Sequence, residues 1–206
     1  MNILAQDPSF RALAYSYYDG KDTIHIGHTT CLIGDDMGFV RIFTASDTQA
    51  SSYKSILNTM IDTERLDVFV SEIPPPVGSF AAGLFALDTA VIRMVMKEFN
   101  PKNAFALPPS YLSVVHGGRY TKTDSTTMAK YFMGEVLKDK FEFNLQGTVS
   151  SNGKVVKGKM NNDRAESFLF LLRMFCRYNI KNLRNTIIGE MGTFADEKEI
   201  EIPSLT

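Results

Sequence analysis

Hydrophobic and polar positions along this chain repeat with two different periods. Near the N-terminus, short β-rich runs alternate with turn formers: Asn2 to Ala5, Leu13 to Tyr18 and Thr23 to Ile33, broken by Asp19-Gly20 and Gly34-Asp35-Asp36. Runs bounded in this way read as strands joined by hairpins. From Asp47 the period lengthens: Ile56, Leu57, Met60 and Ile61 recur at helical spacing, and Ser46 or Asp47 supplies an N-terminal cap.

The run Leu66 to Val70 is short, β-branched and aromatic, which predicts a buried strand ending at Ser71-Glu72. Pro74-Pro75-Pro76 cannot donate to a strand ladder and forbids its continuation. Phe80 to Phe99 is apolar on most faces and predicts a helix packed between layers, and Asn103 to Leu107 predicts another strand, stopped by Pro108-Pro109. A short helix from Ser110, a Gly117-Gly118 turn and a second helix from Thr121 to Leu137 follow. Lys138 to Thr148 and Lys154 to Lys159, joined by Ser150-Ser151-Asn152-Gly153, predict a β-hairpin. Asn162 or Asp163 opens a strongly apolar helix ending near Tyr178, and a loosely held tail with a charged run at Asp196 to Glu201 is expected after it. This order of elements predicts an α/β domain with a mixed sheet and helices on its faces. Residues 1–180 are read as that domain, with the hairpin at 140–160, and residues 181–206 as the tail.

Bulk composition changes this picture little. A chain of 206 residues suits one substantial core, and 44% hydrophobic with 22% charged residues excludes collagen-like and disordered classes. The N-terminus has no basic and apolar leader pattern, and the longest apolar stretch carries Arg173 and Arg177, so no membrane span is expected. Cys31 and Cys176 lack CxxC spacing and lie in apolar segments, which favours buried free thiols. A net charge of −1 argues against a phosphate binder unless some of the acids hold cations.

The acids carry the candidate chemistry. Asp7, followed by Pro8, closes the first strand, and Glu72 closes a later one; ends of neighbouring strands in an open α/β sheet form the crevice where ligands bind. Asp163 and Glu166 lie three apart on one face of the last apolar helix. Acids in a first helical turn also simply complement the helix dipole, and that reading stays open for this pair. Four carboxylates in one place would repel unless cations neutralised them, and hard oxygen ligands suit magnesium or manganese. Two such ions are the usual device for phosphodiester hydrolysis.

The residues Ile3 to Ser9, Val68 to Glu72, the helix Ala81 to Val95, Pro109-Ser110 with Gly118 and Lys122, and Asp163-Arg164-Ala165-Glu166-Ser167 together resemble the RuvC family of Holliday-junction resolvases, a branch of the ribonuclease-H-like superfamily. The resemblance implies a ribonuclease-H-like mixed sheet with helices on both faces, with the hairpin added before the last core helix. It implies that Asp7, Glu72, Asp163 and Glu166 hold two Mg2+ ions, with Mn2+ as an alternative, and that Lys122 meets the scissile phosphate. A homodimer acting on a four-way DNA junction, in the cytoplasm of a bacterium or a phage-infected cell, follows from the same source. Three departures stand out. Glu166 replaces the usual Asp, Ile73-Pro74-Pro75-Pro76 replaces a loop carrying an aromatic for which Phe80 is a substitute, and the hairpin is extra.

Candidate DNA contacts are His116, Arg119 and Lys122 around the glycine turn, and Lys154, Lys157 and Lys159 alternating on the hairpin. Lysines protecting an exposed sheet edge explain the second group equally well. His25 and His28 read as ordinary strand residues. Two other functions remain open at this point: a ribonuclease-H-like nuclease acting on RNA–DNA hybrids or flaps, and a non-catalytic DNA-binding or assembly protein.

Overall fold

Strand β1 (Ile3–Pro8) is buried along its whole length, and the sheet is built outwards from it. The computed structural model describes residues 1–8, 12–30, 39–61, 65–72, 81–107, 122–149, 155–156 and 158–197. On one side β1 pairs antiparallel with β2 (Ala12–Tyr18), which pairs antiparallel with β3 (Thr23–Thr30). On the other it pairs parallel with β4 (Val68–Glu72), which pairs parallel with β5 (Asn103–Leu107). With β6 (Glu142–Leu145) parallel to β3, the six-stranded order is β5-β4-β1-β2-β3-β6. The mixed α/β sheet that the sequence predicts is present.

Strand alternation sends successive side chains to opposite faces. Ile3, Ala5, Val68 and Val70 join Phe168, Leu171 and Phe175 of helix α4 (Asn162–Tyr178) in one core. Helix α3 (Lys122–Tyr131), which continues into a π-helical turn at Phe132–Val136, closes the same face. Leu4 and Phe69 point the other way, into a second core with Tyr53 and Leu57 of α1 (Phe39–Met60) and Leu87, Val91 and Val95 of α2 (Ala81–Glu98). Burying each such side chain stabilises the fold by about 1.5–3 kcal/mol. No helix among the described residues is long and apolar enough to cross a membrane.

Three expectations change. Helix α1 begins at Phe39 rather than near Asp47: Ser46 lies inside it and donates to the Ile42 carbonyl at 2.8 Å, as Thr44 does to Val40 at 2.9 Å. Its hydroxyls are satisfied on the preceding turn, so they cap nothing. Within the predicted hairpin, residues 142–145 belong to the main sheet as β6, and the hairpin itself is the short pair β7 (Thr148–Val149) and β8 (Val155–Val156). Finally, residues 184–197 form helix α5 (Arg184–Glu197) where a loose tail was expected, because Leu183, Ile187 and Met191 are buried in the α4 core. Cys176 is a buried free thiol, as anticipated, and burial pushes it up to about 11. The prolines at 74–76 and 108–109, the helix from Ser110, Gly117-Gly118, Phe80 and Cys31 lie outside the described residues.

Candidate functional site

The parallel register of β1 and β4 pairs Ala5 with Val70 and Gln6 with Ser71. Continued by one residue, it sets Asp7 beside Glu72 at the C-terminal ends of two neighbouring strands. Asp7 shares its face with Ile3 and Ala5, and Glu72 with Val68 and Val70, which is the face that α4 covers. The Ser16 and Ser167 hydroxyls, 3.0 Å apart, hold the first turns of α4 against β2. Glu166, next to Ser167, thereby reaches Asp7.

Asp7 is 3% exposed. Its carboxyl is held well above the ordinary carboxylate range, first by burial, then by the charges of Glu166 and Glu72, with side-chain hydrogen bonds to both acting in the same direction. Carboxylates gathered this closely repel when all are ionised, which favours the protonated form of Asp7. Carboxylate oxygens are the ligand type that hard divalent cations take. Among the described residues, no group of three or more His, Cys, Asp or Glu side chains is placed so that it could hold a metal ion as it stands.

Asp163 takes a different position. The Asn161 side chain caps α4 by accepting from the Arg164 N–H at 3.0 Å, which puts Asp163 in the first turn and Glu166 one turn further on. Glu166 and Glu72 are thus the acids that act on Asp7, and Asp163 acts on the His28 ring of β3.

Three polar residues that sequence reading did not assign to the site stand around it. Asp88 of α2 is 3% exposed on the opposite face of the sheet, where Ser71 Oγ donates to it at 3.4 Å and Gln6 Nε2 donates to Ser71 at 2.9 Å. Burial pushes its carboxyl up to about 7 against the Ser71 hydrogen bond, and the charge of Glu72 adds to the rise. Its signal was a lone acid within an apolar helix. Arg164 and His28 are the others; the arginine's signal was a cation in the buried stripe that follows Asp163.

Among the basic candidates, His116, Arg119, Lys154 and Lys157 lie outside the described residues. Lys122 opens α3, with its side chain outside them as well. Lys159 is exposed, and its carbonyl accepts from Arg164 Nη1 at 2.9 Å.

The structure is similar to that of Thermus thermophilus RuvC, at 10% identity and a TM-score of 0.46, over 81% of this chain and 90% of that one. It is similar to T. thermophilus RuvC in complex with a Holliday junction substrate, at 11% identity and a TM-score of 0.49, over 84% and 96%. The yeast mitochondrial Holliday junction resolvase is similar at 13% identity and a TM-score of 0.48, over 91% and 85%. No protein-family model and no curated protein matches the sequence.

Proposed function

We propose that this chain is a divalent-metal-dependent nuclease that hydrolyses phosphodiester bonds in branched DNA, with the four-way junction as substrate. The observation that carries this reading is the buried Asp7 carboxyl, set beside Glu72 by the parallel register of β1 and β4 and acted on by the charges of Glu72 and Glu166. Asp7, Glu72 and Glu166 are the candidate ligands of Mg2+ or Mn2+, two ions per site, with Asp163 completing the set from the first turn of α4. When bound, such cations neutralise the carboxylates, activate water and offset charge developing on the phosphate.

The chain's own residues do the rest. Strands β1 and β4 fix Asp7 and Glu72 on a rigid support, and α4 brings Glu166 over them. Lys122 is proposed to hold the scissile phosphate, and His116, Arg119, Lys154, Lys157 and Lys159 the flanking backbone. The choice of junction follows the sequence resemblance to RuvC resolvases. A C2 homodimer would present two such sites to opposing strands; exposed Phe43 and Phe85, which line a groove between α1 and α2, supply apolar surface for it.

The test is cleavage of matched four-way junction, flap and RNA–DNA hybrid substrates by the full chain with magnesium. Junction cleavage that is lost in Asp7→Asn is the expected result. Full activity in that variant, or no cleavage by the wild type, removes the mechanism. Preference for hybrid or flap removes the junction assignment alone.

A further inference from the structure

Arg164 is a large cation that is 1% exposed, and its guanidinium is held by three neutral acceptors. Nε donates to His28 Nδ1, Nη1 to the Lys159 carbonyl and Nη2 to the Gln146 carbonyl, each at 2.9 Å. Burying a guanidinium on neutral partners costs stability, and an apolar side chain would fill the same space more cheaply. The position asks for another reason to hold a cation.

Two consequences follow from the contacts. Gln146 precedes β7 and Lys159 follows β8, so one guanidinium grips the chain where it leaves for the hairpin and where it returns. Gln146 is bound again from the sheet side, its Oε1 accepting from the His28 N–H and from the Tyr15 hydroxyl, each at 3.2 Å. The helical turn that carries Asp163 and Glu166 is thus tied to β3 through Arg164. The second consequence concerns the imidazole. A guanidinium does not deprotonate, so the ring nitrogen facing it must present a lone pair. His28 is therefore neutral with its proton on Nε2. Registers place His28 opposite Ala14, and Ala14 opposite Asp7, so it lies on the row of Asp7 and on the face that α4 covers.

We propose that Arg164 and His28 are a positioning pair for the carboxylate site: Arg164 fixes the acidic turn of α4 against β3 and holds His28 as the Nε2–H tautomer, on the row of Asp7 and the face that this turn covers. The inference rests on the nuclease reading and adds two residues to it. The charge of Asp163 felt at the His28 ring is consistent with their proximity.

The experiment has two arms on the full chain. Long-range 1H–15N correlation on the 15N-labelled, metal-free protein reads the tautomer; with three histidines in the chain, loss of one set of peaks in His28→Asn assigns it. Proton on Nε2 in the wild type is the expected result, and an Nδ1-protonated or doubly protonated ring overturns the proposal. In the second arm, junction cleavage is measured for His28→Asn, whose Oδ1 keeps an acceptor for Arg164 but whose side chain lacks the distal N–H. Loss of an outer partner of a metal ligand costs about 10–100-fold, and a loss of that size in kcat with KM little changed is expected. A purely structural role predicts wild-type kcat in this variant, and that result overturns the pair. Arg164→Met, checked for folding by its melting curve, removes the donor to Nδ1 and is expected to release the tautomer into a mixture; an unchanged Nε2–H tautomer overturns the lock. A wild type that cleaves nothing overturns the nuclease reading and this pair together, whereas cleavage lost in Asp7→Asn and intact in His28→Asn overturns this pair alone.

Discussion

The carboxyl of Asp7 is raised above its ordinary range by burial and then by the charge of Glu166, which the first turns of α4 bring over it from far along the chain. One sits on the central strand and the other on the helix that crosses it, and Glu72 closes the group from the neighbouring parallel strand. Like-charged side chains gathered by three rigid elements cannot relax apart, so the fold keeps the strain until protons or cations relieve it.

The strain has a sign that stability measurements read. Because the folded-state carboxyl of Asp7 is raised, its contribution to stability is complete at low pH and is lost as pH rises through the folded value. Asn mimics the neutral form. Asp7→Asn is expected to melt higher than the wild type at pH 7.5 without metal, where about 1 kcal/mol corresponds to roughly 2–4 °C at this chain length. An equal or lower melting temperature would count against a charged, crowded Asp7.

The two acids of the last motif should behave unequally. Glu166 touches Asp7, whereas Asp163 stands beside His28. Junction cleavage by Glu166→Gln is expected to fall below that of Asp163→Asn, because Glu166 is the acid of this pair that acts on Asp7. Equal rates for the two variants would mean that both acids serve the site alike.

Asp88 supplies a pH dependence from the other face of the sheet. Its folded carboxyl lies near 7, pushed up by burial, well above an unfolded aspartate. A raised acid favours the folded state below its unfolded value, and that advantage disappears as pH climbs from about 4 through about 7. Metal-free melting temperatures across this range should decline in the wild type and decline less in Asp88→Asn. Parallel curves would show that Asp88 titrates normally.

Helix α5 gives a test of the C-terminal region. Ile187 is fully buried against the α4 core, so Ile187→Ala is expected to destabilise the chain by about 2–5 kcal/mol in denaturant unfolding. A loose tail would show a change within about 0.5 kcal/mol.

Periodicity alone determined most of the framework: β4 and β5 as short apolar runs, α2 and α4 as apolar helices, and Asp7 and Glu72 at strand ends. These are local properties, because strand and helix repeats are set by side-chain geometry within one element. The beginning of α1 was not legible, since Thr44 and Ser46 carry cap chemistry that a helix interior absorbs equally well. Nor was the fate of residues 142–145, because alternation predicts a strand without naming its partner, and β3 rather than β8 took it.

Which acids meet was beyond the sequence for the same reason. Spacing put Asp163 and Glu166 on one helix face, but only the packing of α4, capped at Asn161 and pinned at Ser167, decided that Glu166 overlies Asp7 while Asp163 meets β3. Arg164, His28 and Asp88 became visible only when sheet register and helix crossing brought distant segments within hydrogen-bond reach. A contact between remote segments depends on how whole elements dock, and no repeat along the chain encodes that distance.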